Sequence, residues 1–175
     1  MNRRVVVYGA GNLAGWVCPE IALCDGMEVT AFVEDDPPGG SRSFLGLPLS
    51  EFASVEERYP SSEFDMLVLT GHRRMRDRRV TFGRAKEKGY RLASFVSPRA
   101  ITCPDLVVGE NVVIGPGAHV GPGCHIGSNV VICQCAHVGS KTEVKDHCYI
   151  AGRAAIGGLA RLGELCFIGM NATIV

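Results

Sequence analysis

The side chains best suited to chemistry in this chain are its histidines. An imidazole titrates close to neutral pH, so it can take a proton from an attacking amine or hydroxyl group. Four of the five histidines lie in one stretch, at His119, His125, His137 and His147. Ser140 and Tyr149 lie close to the last two of them and add hydroxyl groups. We therefore predict that any general base lies in this stretch.

The same stretch holds a possible metal-binding string, Cys133-x-Cys135-x-His137. Thiolate and imidazole are ligands for soft metals. The three residues straddle a predicted corner of the chain, however, and no fourth ligand is evident. No Cys-x-x-Cys pair occurs among the eight cysteines. We therefore predict reduced, structural cysteines and no metal site.

A glycine-rich turn near the N-terminus could cradle a phosphate group. Residues 4–8 form a short β-branched run typical of a buried parallel strand, and residues 16–24 are predicted to be helical. Between them lies the pattern G-x-G-x-x-A, where backbone N–H groups can approach an anion at a helix N-terminus. The candidate ligand-binding residues of this turn are Gly9, Gly11, Asn12 and Leu13.

Two further segments follow strands of the same region. The second predicted strand, residues 28–33, ends in Glu34, Asp35 and Asp36, where such folds meet a ribose hydroxyl. Alternatively, these acids only solvate the end of the strand. The third strand, 64–69, is followed by Gly71 and His72 and then by an arginine-rich run, 73–79. The run is predicted to be the exposed face of a helix reaching residue 88, or else its first turn approaches the ligand with Gly71 and His72.

These elements alternate between strand and helix over about 95 residues, ending with a fourth strand at 90–95. Such alternation predicts a small parallel α/β sheet of Rossmann type over residues 1–97. The lobe is half the size of a complete dinucleotide-binding domain. A mononucleotide or nucleotide-sugar is therefore a better expectation than NAD.

The remainder of the chain repeats with a period of six residues. Aliphatic residues recur without a break from Val108 to Ile174, and the position two before them is small or compact in the later repeats. Six is a multiple of the strand period, so both positions point inward, whereas a helix would turn them off any single face. The pattern predicts a parallel β-helix over residues 98–175. The period itself does not fix the hand of the coil.

Composition excludes several classes of partner. Lysine plus arginine equals aspartate plus glutamate at 18 each, which leaves no basic field for nucleic acid or an anionic membrane. No apolar run is long enough to span a bilayer, and no signal peptide is evident. We expect a cytoplasmic protein. The outward residues Val113, Val131 and Phe167 are apolar and are predicted to be covered by assembly of several chains.

Both halves together resemble one family closely. The features that carry the resemblance are the Gly9-Ala10-Gly11 turn, the strand end Phe32–Asp36, the Ser97-Pro98 junction and the repeat that ends Cys166–Ile174. The chain is similar to the bacterial hexapeptide-repeat sugar O-acyltransferases, which include sialic acid O-acetyltransferases and bacillosamine-pathway nucleotide-amino-sugar N-acetyltransferases.

The resemblance implies a left-handed β-helix with three repeats in each coil. It also implies that a nucleotide-sugar binds the N-terminal turn and that acetyl-CoA lies along the β-helix, where Gly152, Gly158 and Met170 are expected to contact it. Finally, it implies a homotrimer with active sites between neighbouring chains.

The chain departs from the family in three places. Asn12 and Leu13 stand where the family turn has Gly and His. Ser140 and Tyr149 occupy the positions of the two family histidines, so both histidines are replaced. Family members also continue for one or two more coils, so we expect this chain to lack its last coils.

The resemblance implies an acetyl-CoA-dependent transfer to an amino or hydroxyl group of a nucleotide-linked sugar. The candidate base is then His137, or next His147, with Ser140 and Tyr149 as further candidates. With three repeats in each coil, as in the family, His119 stacks on His137, while His125, Glu143 and Arg161 form an ionic column. The alternative is an inactive nucleotide-sugar-binding or scaffold homologue, and an NAD-dependent enzyme is disfavoured.

Overall fold

The computed structural model describes residues 3–71 and 74–175, apart from the side chain of Pro38. The described residues form two compact units. The first runs to Gly71 and also contains Val80–Ala93. The second contains the described residues 74–79 together with Ser94–Val175. His72 lies outside the described residues.

The first unit is built on one sheet of short strands. Its strands are β1 (Arg3–Tyr8), β2 (Met27–Glu34), β3 (Ser43–Phe44), β4 (Leu47–Glu51) and β5 (Asp65–Val68). They lie in the order β3-β4-β2-β1-β5, and every pair is parallel except β3 with β4. The continuous apolar runs predict buried strands. Strand β1 is indeed buried over Val5–Tyr8, and β5 is buried over its whole length.

Three α-helices occur in the described ranges. They are α1 (Asn12–Ala22), α2 (Val55–Arg58) and α3 (Met75–Glu87), with short 3-10 turns at Pro38–Gly40 and Phe52–Ser54. Helix α1 begins directly after Gly11, which is its N-cap residue, and so starts four residues before the predicted residue 16. None of the helices in that part of the chain has the length and apolar character needed to cross a membrane.

The predicted fourth strand of this sheet, residues 90–95, is wrong as a strand of the first unit. Only one isolated bridge forms there, between Leu92 and Met66. Phe95 and Val96 instead form a strand that pairs with Val113–Ile114 in the second unit. The backbone N–H of Phe95 donates to the carbonyl of Val112 in that unit at 2.8 Å. The end of the predicted strand therefore pairs with the β-helix and not with the sheet of the first unit.

The second unit is a parallel β-helix of two-residue strands. These are β6 (Phe95–Val96), β7 (Ile101–Thr102), β8 (Val107–Val108), β9 (Val113–Ile114), β10 (His119–Val120), β11 (His125–Ile126), β12 (Val131–Ile132), β13 (His137–Val138), β14 (Glu143–Val144), β15 (Tyr149–Ile150), β16 (Ala155–Ile156), β17 (Arg161–Leu162), β18 (Phe167–Ile168) and β19 (Thr173–Ile174). They form three sheets, in the orders β19-β16-β13-β10-β7, β17-β14-β11-β8 and β18-β15-β12-β9-β6.

One coil takes three hexapeptides, because His119 pairs with His137, and His137 with Ala155. This coil length fits the left-handed β-helix implied by the resemblance. Both predicted inward positions lie in the core. Examples of the aliphatic position are Val120, Val138 and Ile156, and examples of the small position are Ala118 and Ala136. Burial of these columns is the main stabilising contribution of the unit.

Each of the eight cysteines, all within the described residues, is a free thiol. Two of them do more than fill the small inward position. The Cys124 thiol donates to the Gly139 carbonyl at 3.1 Å and the Cys148 thiol to the Gly163 carbonyl at 3.0 Å. Burial raises the pKa of Cys148 to about 11, so it stays a protonated donor at neutral pH.

The prediction that Val113 and Val131 need covering by another chain is wrong. Val113 is 0% and Val131 1% exposed within the single chain, while Phe167 in the same sheet is 46% exposed. On the same sheet, Arg78 lies over the ring of Tyr149, with its guanidinium carbon 5.7 Å from the ring centre. Only Phe167 remains an exposed apolar residue of the three.

Successive coils approach so closely that some positions exclude a side chain. A Cβ atom at Gly139 would lie 2.4 Å from the backbone nitrogen of Gly158 in the next coil. Gly163 occupies the same place in its hexapeptide, and a Cβ atom there meets nothing within 4 Å. Comparing alanine substitutions at these two glycines therefore separates the effect of close coil packing on stability from the effect of replacing a glycine.

We expect Gly139→Ala to lower the free energy of unfolding by about 1–3 kcal/mol, because the added methyl group forces two backbones apart. Gly163→Ala is the matched control and should change it by less than about 0.5 kcal/mol. Urea unfolding followed by circular dichroism measures both. Equal destabilisation by the two substitutions would contradict this account of coil stacking.

Candidate functional site

Two histidines of the β-helix stack directly on each other, as the resemblance implies. His119 of β10 pairs with His137 of β13, and their rings lie parallel within 2°, with centres 4.8 Å apart. The His137 side chain is exposed, whereas His119 is half-buried and its Nδ1 atom has no hydrogen-bond partner among the described residues. Of the two, His137 is thus the imidazole that a ligand can reach.

The predicted ionic column also forms on the neighbouring sheet. His125 pairs with Glu143, and Glu143 pairs with Arg161 in the next coil. The carboxylate of Glu143 lies 3.8 Å from Arg161, but its shorter contact is to Lys145, at 2.5 Å. The hydrogen bond from Lys145 holds the pKa of Glu143 below its ordinary value. These exposed charges solvate the surface of the sheet.

His147 lies in a very different environment from His137. It is only 8% exposed, and its backbone is in the left-handed region, at φ 63°. Its Nδ1 atom lies 3.0 Å from the side-chain amide nitrogen of Asn129. Burial lowers the pKa of His147. The imidazole is therefore neutral near pH 7.

A polar cluster that the sequence did not predict surrounds this histidine. Arg78, within the run predicted to be the exposed face of a helix, is 0% exposed. It donates to the backbone carbonyl of Asn129 at 3.0 Å and to its side-chain oxygen at 3.1 Å. Burial lowers the pKa of Arg78 to about 10, so the guanidinium stays charged at neutral pH. The recurrence of Asn111, Asn129 and His147 at the same position of every third hexapeptide was the only signal in the sequence.

Ser140 and Tyr149, which are predicted to stand at the positions of the family histidines, differ in accessibility. Ser140 is exposed at a turn, and its carbonyl accepts a hydrogen bond from Leu159 at 2.9 Å. Tyr149 is 7% exposed, and burial, together with the nearby Cys133, raises its pKa. The phenol is thus protonated at neutral pH.

The residues expected to contact acetyl-CoA lie on the turns of later coils. Gly152 is half-buried, Gly158 is exposed and Met170 is 69% exposed. A Cβ atom at Gly158 would lie 3.1 Å from the carbonyl of Ser140. All three are accessible to a ligand that runs along the β-helix. Their role remains a prediction.

The glycine-rich turn of the first unit has the predicted context of strand, turn and helix. Gly9 has φ 126°, and a Cβ atom there would lie 2.6 Å from the carbonyl of Leu69, so only glycine fits. Gly11 and Asn12 are exposed at the start of α1 and can meet a ligand. Leu13 is 4% exposed and packs into the core instead.

The three acids after β2 have three different surroundings. Glu34 accepts the backbone N–H of Ala10 at 2.6 Å and so closes the glycine-rich turn. Asp35 accepts from Tyr8 at 2.7 Å and from Arg84 at 2.8 Å. Burial alone would raise the pKa of Asp35, but these two hydrogen bonds bring it below its ordinary value.

Asp36 is exposed and lines a cavity of about 560 Å³. The cavity lies beside the carboxyl ends of β2 and β4, and its polar lining residues include Ser41, Arg42, Ser50 and Arg58. Ligands of open parallel sheets bind at such strand ends. Gly71 is exposed after β5. The predicted partner of Gly71, His72, is outside the described residues.

No cluster of three or more metal-ligating side chains occurs within residues 3–71 and 74–175. In the string predicted as a possible metal site, Cys133 is buried, while Cys135 and His137 are exposed. Burial raises the pKa of the Cys133 thiol. The first cysteine therefore faces away from the surface reached by the other two residues.

Comparison with known proteins identifies the repeat and its relatives. The family model of the bacterial transferase hexapeptide, with six repeats, matches residues 105–140. No protein of curated function is matched. Several solved structures are similar over almost the whole chain.

The acetyltransferase domain of PglB from Neisseria gonorrhoeae is 28% identical, with a TM-score of 0.87, over 98% of this chain and 82% of that one. Its complex with acetyl coenzyme A gives 27% identity and a TM-score of 0.87, over 99% and 82%. A mutant of perosamine N-acetyltransferase from Caulobacter crescentus, solved with CoA and GDP-perosamine, is 26% identical, with a TM-score of 0.83, over 93% and 75%. Repeat and relatives together confirm the predicted resemblance to the hexapeptide-repeat sugar acyltransferases, here represented by sugar N-acetyltransferases.

Proposed function

We propose that this chain is an acetyl-CoA-dependent acetyltransferase that acts on an amino group of a nucleotide-linked sugar. The observation that carries the proposal is the likeness along 99% of the chain to an acetyltransferase domain solved with acetyl coenzyme A. A relative solved with CoA and GDP-perosamine supports a nucleotide-linked amino sugar as acceptor. Both likenesses extend over the two units and not only over the repeats.

The first unit is the proposed Rossmann-like nucleotide-sugar-binding domain. Its parallel strands, its glycine-rich turn before α1 and the acids after β2 support this role. The Glu34 carboxylate already accepts the Ala10 N–H, and a second anion at that donor would be repelled. The nucleoside, whose hydroxyl groups can donate to Glu34, is therefore the better ligand at the turn. The cations for the phosphates are then Arg42 and Arg58, which line the neighbouring cavity.

The second unit is the proposed acyl-donor domain, with acetyl-CoA along the β-helix. In the reaction, the amine of the sugar attacks the thioester carbonyl, a C–N bond forms and the C–S bond breaks. The proton lost by the amine passes to a base, which returns it to the departing sulfur, so that coenzyme A leaves as its thiol. His137 is the proposed base because its imidazole is exposed on a sheet of the β-helix.

The second candidate function is an inactive homologue that binds nucleotide-sugars. The feature in its favour is that Ser140 and Tyr149 stand where, by the resemblance, the family has its two histidines. The relatives do not favour it, since they are acetyltransferases with acetyl-CoA or CoA as ligand. A cytoplasmic location remains a prediction from the sequence.

Turnover distinguishes the two functions. With acetyl-CoA and a panel of nucleotide-linked amino sugars, we expect release of coenzyme A thiol that depends on the sugar. His137→Ala should lower kcat about a hundredfold, the lower end of what a general base contributes. His125→Ala is the control, because His125 is also an exposed histidine of the β-helix but lies on another sheet.

A wild-type chain that binds the nucleotide-sugar without releasing thiol would support the inactive homologue instead. Unchanged turnover in His137→Ala would exclude that residue as the base while leaving the activity itself established. Isothermal titration calorimetry supplies the binding measurement.

A homotrimer is the proposed assembly, as the resemblance implies. The exposed apolar residues Ile101, Val107 and Phe167 on the sheets of the β-helix support burial against another chain. Multi-angle light scattering should give a mass of about three chains of 18.7 kDa each. A monomer mass at micromolar concentration would contradict this assembly.

A further inference from the structure

A ladder of buried side chains runs along one corner of the β-helix. Asn111, Asn129 and His147 occupy equivalent places in successive coils, all with left-handed backbones, at φ 56°, 55° and 63°. The Asn111 amide nitrogen donates to the Asn129 side-chain oxygen at 2.9 Å, and the Asn129 amide nitrogen lies 3.0 Å from Nδ1 of His147. The exposed fractions are 1%, 0% and 8%. Hydrogen bonds that are so well buried are strong and specific in their geometry.

Arg78 determines which atom of the Asn129 amide is oxygen and which is nitrogen. A guanidinium only donates hydrogen bonds, so the Asn129 atom 3.1 Å from the Arg78 terminal nitrogen must be the oxygen. A backbone carbonyl only accepts, so the atom 3.0 Å from the Arg78 carbonyl must be the amide nitrogen. The amide cannot be flipped without breaking both contacts. Its nitrogen therefore faces His147 as a donor.

A donor facing Nδ1 requires a lone pair on that atom. We infer that Asn129 is a positioning residue that holds His147 as the neutral tautomer with its proton on Nε2. His147 is then a hydrogen-bond donor at Nε2 and not a general base, since its one lone pair on Nδ1 is engaged by Asn129. The base of the reaction is left to His137. This last step rests on the proposed function, whereas the tautomer does not.

The charges around His147 agree with a neutral imidazole. Burial lowers its pKa, Asp146 and Glu164 raise it, and Arg78 and Arg79 lower it further, with a net decrease. Protonation of Nδ1 would also set an N–H against the Asn129 amide N–H. Both effects act in the same direction, toward the neutral form.

The tautomer can be read directly by NMR of the full chain labelled with ¹⁵N-histidine. At pH 7.5 we expect His147 to show an unprotonated Nδ1 and a protonated Nε2, with His147→Gln assigning the signal. A protonated Nδ1, as the other tautomer or as imidazolium, would overturn the inference. This measurement requires no substrate and no activity.

The substitution that tests the cause is Asn129→Asp. A carboxylate accepts hydrogen bonds and cannot donate one, so His147 should acquire a proton on Nδ1. Asn171→Asp is the matched control, because Asn171 has the same left-handed backbone, at φ 57°, but is exposed on a different corner. If Nδ1 of His147 becomes protonated in Asn129→Asp but not in Asn171→Asp, the result supports Asn129 as the residue that sets the tautomer. An unchanged tautomer in a folded Asn129→Asp chain would overturn it, and if that variant does not fold, the wild-type spectrum decides.

A thermodynamic readout follows from the same arrangement. The unfolded chain binds a proton at His147 below a pH of about 6.5, while the folded chain resists it, so stability falls as the pH drops below that value. His147→Gln cannot take up this proton and should show a smaller fall in Tm between pH 7.5 and pH 5.5. Equal falls in the two chains would contradict a neutral His147.

Activity separates the inference from the proposed function. If the wild-type chain releases thiol, His147→Gln should retain at least a tenth of kcat, since glutamine can still donate, while His137→Ala should lose about 99%. The reverse order would assign the base to His147 and overturn the inference. Absence of turnover in the wild type would overturn the proposed function and the base assignment, with the tautomer decided by the NMR spectrum.

Discussion

The second unit depends on one constraint, the parallel pairing of each hexapeptide with the one that lies three hexapeptides further along the chain. Backbone hydrogen bonds between coils, such as His119 to Ala136 at 2.8 Å, fix this register. Every position of one hexapeptide therefore lies next to the same position one coil away. The core columns, the histidine stack and the asparagine ladder are all consequences of this register.

The same constraint decides which residue types the coils accept. Where backbones approach closely, as at Gly139, a side chain has no room. Where the chain turns, a left-handed backbone is needed, which asparagine adopts more readily than most residues. Asn111 and Asn129 meet that requirement and also bond to each other through their side chains. A conformational requirement of the turn thereby builds a buried polar column that ends at a histidine.

Features that repeat along the sequence could be predicted from it, and features that join distant segments could not. The hexapeptide period predicted the β-helix and its core, and the coil of three hexapeptides that the resemblance implies placed His119 on His137. By contrast, Arg78 and Asn129 are far apart in the sequence, and no period links them. Arg78 therefore resembled its exposed neighbours in an arginine-rich helix, although it is fully buried. The covering of Val113 and Val131 by their own chain was missed for the same reason.

In the site, residue types were easier to predict than their chemical states. His137 and His147 were both predicted as candidate bases, with His137 first, but His137 is exposed whereas His147 is buried beside the side-chain amide of Asn129. The acids after β2 were predicted as one group, yet Glu34 bonds the glycine-rich turn and Asp35 pairs with Arg84. Such differences depend on contacts that only the folded chain contains.

The most direct test of the account is the position of the coenzyme A sulfur in a crystal structure of this chain with the coenzyme bound. We expect the sulfur to lie along the β-helix, near His137, with room for an acceptor amine within one hydrogen bond or one bridging water of that imidazole. A sulfur that lies next to Ser140 or Tyr149 and out of reach of His137 would contradict the assigned base. A structure in which the coenzyme binds elsewhere than on the β-helix would contradict the proposed function.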